Sequence, residues 1–260
     1  MSEYTSVSDR RFDFARVIAR TFGLTARNFP LYGLMALLFV GAPQFGMLYL
    51  QSTLWLANPG SSVPVGWASG LVSLVSTVVL QGALTRAAMD SLTGRRAGIG
   101  AATADGVRFL LPLFLIGVLS GIGVLLGLLL LVVPGIFVAV RWAVAAPIAV
   151  VEREGPTAAL GRSAELTEGH RWAIFGLFLL FLVLAYVVEI VISVAFLAIG
   201  GANAGYLAAQ GALGLAYAAT SAVVGALTSL LSAVGTTSLY FELRHVKDGV
   251  GVSDLAAVFD

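Results

Sequence analysis

Two charges interrupt the long apolar stretches of this chain: Arg141, in the run from Ile136 to Val151, and Glu189, in the run from Trp172 to Ile199. An arginine in hydrocarbon costs on the order of 2.5 to 17 kcal/mol and normally faces a partner or a wet cavity. Arg141 lies about seven residues below the preceding turn and Glu189 about eleven below the following one, so at ~1.5 Å per residue their depths differ by about 6 Å. An extended arginine spans that gap, so the two are expected to pair across their helices. Such a pair would lock the helices together. Alternatively it would serve an anionic solute, with Arg141 binding it and Glu189 setting affinity or coupling a proton.

Other chemistry is sparse. With no cysteine, disulfides, thiolate catalysis and thiolate metal sites are excluded. His170 and His245 are the two histidines, both in polar segments, so no metal site and no cofactor is expected. No nucleophile and base, phosphate loop or acidic metal cluster is evident; the Gly-rich stretch from Ile122 to Gly135 lacks the lysine of a phosphate loop. From Phe12 to Arg27, helical spacing puts Phe14, Ile18, Phe22 and Thr25 on one face and Asp13, Arg16, Arg20 and Arg27 on the other. That basic face suits anionic lipid headgroups, at about 1 kcal/mol per cation.

The elements that must carry these residues are membrane helices. The 260 residues are 58% hydrophobic and 11% charged, with a mean hydropathy of +0.95, outside the range of water-soluble domains. A net charge of +1 leaves no basic stripe for nucleic acid. A bilayer core of ~30 Å needs about 20 apolar residues per helix. Six runs qualify, at about 30–56, 65–89, 109–133, 136–151, 172–199 and 208–241, with Pro134 and Gly135 expected to force the reversal between the third and fourth and Pro147 to kink the fourth. The expected fold is all-α: six transmembrane helices in three hairpins, with a 1–29 N-terminal segment, a 30–243 membrane domain and a 244–260 tail.

Arg10, Arg11, Arg16, Arg20, Arg27, Arg86, Arg95, Arg96, Arg108, Arg153, Arg162, Arg171, Arg244 and Lys247 all flank the same ends of these runs, which places both termini in the cytoplasm. The polar segments at Phe12–Arg27, Ile99–Arg108 and Pro156–His170 read as interfacial amphipathic helices, each opening a hairpin, which suggests three repeats. A fourth such helix is expected at Val252–Phe259. Gly117 and Gly121, then Gly123 and Gly127, and Gly225 with its small neighbours, are stripes that let helix backbones approach, within the chain or in a homo-oligomer. Gln44 and Gln81 are expected to satisfy backbone groups freed near helix irregularities.

Around the fourth run the residues resemble a known family. Pro134, Gly135, Ile136, Arg141, Trp142, Pro147, Glu152, Gly155, Ala159, Leu160, Arg162, Ser163, Leu166, Gly169 and Trp172, with Tyr240 to Arg244 near the end, are similar to the bacterial YciC-like membrane proteins, relatives of the membrane domain attached to some glycerophosphoryl diester phosphodiesterases. The resemblance implies a polytopic inner-membrane domain in a lipid-related setting. It does not imply the phosphodiesterase, whose barrel of ~250 residues has no room here. The expected function is therefore non-enzymatic: organising the bacterial inner membrane, or binding lipid, anionic headgroups at the cytoplasmic face above all, or a partner membrane protein. A transporter or channel for a small anionic or lipid-like solute is the alternative.

Overall fold

A computed structural model describes residues 12–57, 62–92, 98–200 and 211–249. Arg10, Arg11, Arg95, Arg96, the turns near 58–61 and 201–205 and the helix expected at Val252–Phe259 lie outside the described residues. Every element among the described residues is helical: α1 (Phe14–Arg27), α2 (Phe29–Ala36), a π-helical turn (Leu37–Gly41), α3 (Ala42–Ala57), α4 (Ser62–Leu92), α5 (Ile99–Arg108), α6 (Leu110–Leu130), α7 (Val132–Arg141), α8 (Ala145–Val151), α9 (Pro156–Leu166), α10 (Arg171–Gly200) and α11 (Gly211–Asp248). Six stretches are long and apolar enough to cross a membrane: Phe29–Gln51, Pro64–Leu92, Leu110–Leu130, Val132–Val151, Arg171–Ile199 and Gly214–Asp248.

Prolines set the irregularities. The π-helical turn directly precedes Pro43, whose missing N–H and bulky ring disturb the ladder one turn back. Between α6 and α7 the chain reverses at Leu131, which is extended, and not at Pro134–Gly135 as the sequence suggests. Pro134 sits in the first turn of α7, where an absent N–H costs no hydrogen bond. Gly135 instead lets the two helices touch: a Cβ on Gly127 would stand 2.7 Å from the Gly135 Cα.

Pro147 does more than kink its helix. It too occupies a first turn, that of α8, and the helix is interrupted between Arg141 and Ala145. The Ala145 N–H goes to the Trp142 carbonyl at 3.2 Å, so it does not serve Arg141. Ser163 of α9 repairs the gap: its hydroxyl donates to the Arg141 carbonyl at 3.0 Å and accepts from the Val144 N–H at 3.3 Å. The Thr167 hydroxyl stands 3.3 Å from the same carbonyl. Gly169, at a φ of +85°, supplies the left-handed turn that leads on to α10.

The short helices α1 and α5 each run back along the end of a longer one. α1 lies antiparallel to α11, with Arg16 beside Glu242 and Thr21 beside Gly235. α5 returns along α4, where Gly106 sits so close that a Cβ there would meet the Val79 carbonyl at 2.7 Å. α9 packs on α8. The fully buried side chains gather around these contacts: Tyr32, Met35, Leu80, Leu84, Leu230 and Val234 in one cluster, Ile148, Leu166, Ile174, Leu239 and Tyr240 in the other. Away from them the long helices turn Leu, Val and Ile outward, above all α6 and α10.

Replacing Ser163 with Ala should leave the Arg141 carbonyl and Val144 N–H short of partners at a cost of about 1–3 kcal/mol. The expected result is a clearly lower melting temperature in detergent, with α-helical circular dichroism retained.

Candidate functional site

The buried charge of the fold collects at the ends of the long helices. Glu242, near the end of α11, is fully buried. Its Oε1 accepts from Arg16 Nη1 at 3.0 Å and from the Asp13 N–H at 3.3 Å, and its Oε2 lies 3.7 Å from Arg20 Nη1. Asp13 in turn caps α1, accepting from the N–H groups of Ala15 at 2.9 Å and Arg16 at 3.2 Å. Burial pushes the Arg20 pKa down from its ordinary value, with Glu242 opposing and Arg16 adding to the shift. Arginine stays charged nonetheless.

Related arrangements stand beside it. Glu152, just past α8, accepts from the Tyr240 hydroxyl at 2.8 Å, and that hydroxyl accepts from Arg244 Nη1 at 2.8 Å. Arg162 of α9 lies 3.6 Å from Glu152 and bonds Asp248. Burial lowers the Arg162 pKa, but Asp248 and Glu152 outweigh it and the net shift is upward. On α4, Arg86 Nε lies 3.2 Å from Asp90, and Nη1 reaches Asp105 of α5 at 3.4 Å. In all three places an acid near a helix end shares an ionic cluster with the short helix packed against that end.

The basic residues singled out from the sequence are thus distributed differently. Arg16 and Arg20 point to Glu242 and are only partly exposed, because the face of α1 that packs inward is Val17, Thr21, Leu24 and Thr25, rotated from the expected Phe14, Ile18, Phe22 and Thr25. Arg27 is exposed.

Arg141 and Glu189 form no ion pair, and both side chains are exposed. The guanidinium of Arg171, at the start of α10, stacks 4.7 Å from the Phe137 ring, one turn before Arg141. That contact places Arg141 near the beginning of α10, whereas Glu189 lies about 27 Å farther along it at ~1.5 Å per residue. Counting depths from the turns assumed straight, parallel helices, and the interruption after Arg141 breaks that assumption.

Of the small-residue positions, Gly123 faces Trp142, whose Cζ3 a Cβ would approach to 2.3 Å, and Gly127 faces Gly135. At Gly225 a Cβ would meet the Gln44 Oε1 at 2.3 Å, while Gly117 and Gly121 face open space. Gln81 donates to the Thr236 hydroxyl at 3.0 Å, a side-chain partner and not a freed backbone group. Among the family-motif residues, Gly155 caps the start of α9 ahead of Pro156. The sequence reading missed Glu242, Tyr240 and Asp248 as partners, although an acid within an apolar helix's last turns is a visible signal.

A second feature is a groove of about 800 Å³ between α7, α10 and α11. Its walls are Ile136 and Val140, the stripe Phe175, Phe178, Leu182 and Ala185, and Val224, Leu227 and Leu231; Thr228, Ser232 and Thr236 are its few polar contributions. It exists because α10 packs loosely: 6% of its most apolar stretch is buried, against 44% for that of α11. Among the described residues no three His, Asp or Glu side chains are grouped to hold a metal.

Six apolar helices whose outward faces are aliphatic define a multi-pass membrane protein. Residues 108–248, from the end of α5 to the end of α11, match the family described as the membrane domain of glycerophosphoryl diester phosphodiesterase, and the chain belongs to that family. No curated protein and no solved structure matches the chain.

Replacing Glu242 with Gln should strand Arg16 and Arg20 beside a neutral group and destabilise the protein by about 3 kcal/mol, the low end for a broken buried pair because both guanidinium groups keep some water. Thermal unfolding in detergent reads this directly. The stability losses of Arg141→Ala and Glu189→Ala should add in the double variant, as for residues that do not touch.

Proposed function

We propose that this chain is a non-enzymatic protein of the bacterial inner membrane, with both termini cytoplasmic, that binds lipid and so organises the membrane around it. The observation that carries this reading is the apolar groove between α7, α10 and α11. Its walls offer hydrocarbon surface almost throughout, and a site so lined gains from burying apolar chains, not from recognising a polar solute. In this reading the long helices form three hairpins, α1, α5 and α9 lie at the cytoplasmic interface, and the positive charges between hairpins set the orientation. The family match over residues 108–248, to a membrane domain, agrees with a membrane setting.

Lipid contact shifts from the basic face of α1 to the groove, since Glu242 engages Arg16 and Arg20. Transport loses its main support, because Arg141 and Glu189 do not converge on one point.

Protein purified in mild detergent should retain phospholipid through gel filtration. Filling the groove with Ala185→Trp and Ala139→Phe should lower the amount extracted per chain. A purified chain without lipid, or equal retention by the filled variant, would sink the reading.

A further inference from the structure

We infer that the groove holds one anionic phospholipid, its acyl chain laid between α10 and α11 and its phosphate held by Arg171, with Arg141 alongside; this deepens, and rests on, the lipid-binding reading above. Arg171, Phe175, Phe178 and Leu182 fall at helical spacing on one face of α10, and the last three line the groove. Arg171 therefore stands at the groove's mouth. Its guanidinium carbon lies over the Phe137 ring, 4.7 Å from the centroid, and Phe137 is the neighbour of groove-lining Ile136. A guanidinium held over a ring in this way keeps its positive charge and N–H groups to offer a phosphate.

Charge complementarity identifies the ligand. Arg16, Arg20, Arg86, Arg162 and Arg244 each lie against a carboxylate. Arg171 and Arg141 share with Arg27 and Arg108, among the described residues, the lack of an acidic partner, and Arg171 alone of these four has a buried Nε with no acceptor. A buried donor of that kind calls for an acceptor. Arg141 follows Phe137 by one turn on α7 and places a second positive charge on the same helix face.

Depth agrees with the assignment. Trp172, next to Arg171, is 88% exposed, and indoles so placed sit at the headgroup level of a bilayer. From Phe175 to Val188 the groove follows α10 for about 20 Å, more than one leaflet's half of a ~30 Å hydrocarbon core. It is long enough for a full acyl chain.

The test is native mass spectrometry of the full chain in mild detergent with equal amounts of phosphatidylglycerol and phosphatidylcholine of identical acyl chains. The wild type should retain phosphatidylglycerol preferentially. Arg171→Gln should cut that preference about fivefold, as for the loss of ~1 kcal/mol per cation at an anionic headgroup, and the double variant with Arg141→Gln should erase it. Arg171→Lys should preserve most of it, and Arg27→Gln should leave it unchanged. Phe137→Leu, which removes only the stacking surface, should weaken the preference and serves if Arg171→Gln does not fold. Equal retention of both lipids by the wild type, an unchanged preference in the folded variants, or an equal loss in Arg27→Gln would overturn this inference while leaving lipid binding intact. Absence of both lipids would overturn both.

Discussion

A carboxylate fully removed from water is the constraint around which the charged end of this bundle is built. Glu242 sits on a helix that is otherwise apolar for turn after turn, and the solvation it loses must come from fixed partners. Arg16, Arg20 and the Asp13 N–H supply it, and α1 is thereby held in one register against α11. The energetic gain over an apolar contact is small, because both sides are desolvated. What the pair confers is specificity of placement: only in the observed register do both guanidinium groups and the Asp13 N–H reach the one carboxylate. Glu152 and Asp90 apply the same logic with other partners.

The membrane helices were legible in the sequence because lipid imposes one dominant rule, a run of apolar residues long enough to span. Their ends were less so. Hydropathy marks only the apolar part of a helix, so it misses the charged turns by which α11 continues to Asp248, beyond the expected 241, and α4 to Leu92. The fourth run reads as one short kinked span but consists of α7 and α8, joined by an interruption that Ser163 caps from outside. A proline announces such a break, yet the hydroxyl that repairs it is distant in sequence and looks like any small residue on a helix face.

The charges show the same limit. Arg141 and Glu189 looked like partners because they alone interrupted apolar runs, while Arg16 and Arg20 looked solvated because they shared a polar stripe. The structure inverts these roles: the conspicuous pair stands apart, and the ordinary surface arginines hold the buried acid. Pairing depends on which helix packs beside which, and for α1 the neighbour is α11, at the opposite end of the chain. Within the family-matched region, by contrast, Pro147, Glu152, Arg162 and Ser163 owe their roles to contacts among α7, α8, α9 and α11.

The contact between Arg16 and Glu242 spans 226 positions of sequence. A chain made from its N-terminus therefore produces α1 long before its seat exists, and α1 must wait beside the translocation machinery or on the lipid surface while the intervening spans insert. Only when α11 enters does the carboxylate arrive that fixes it. The ion pair that fixes α1 thus forms only after the intervening spans have been made, and until then α1 carries two arginines without their carboxylate.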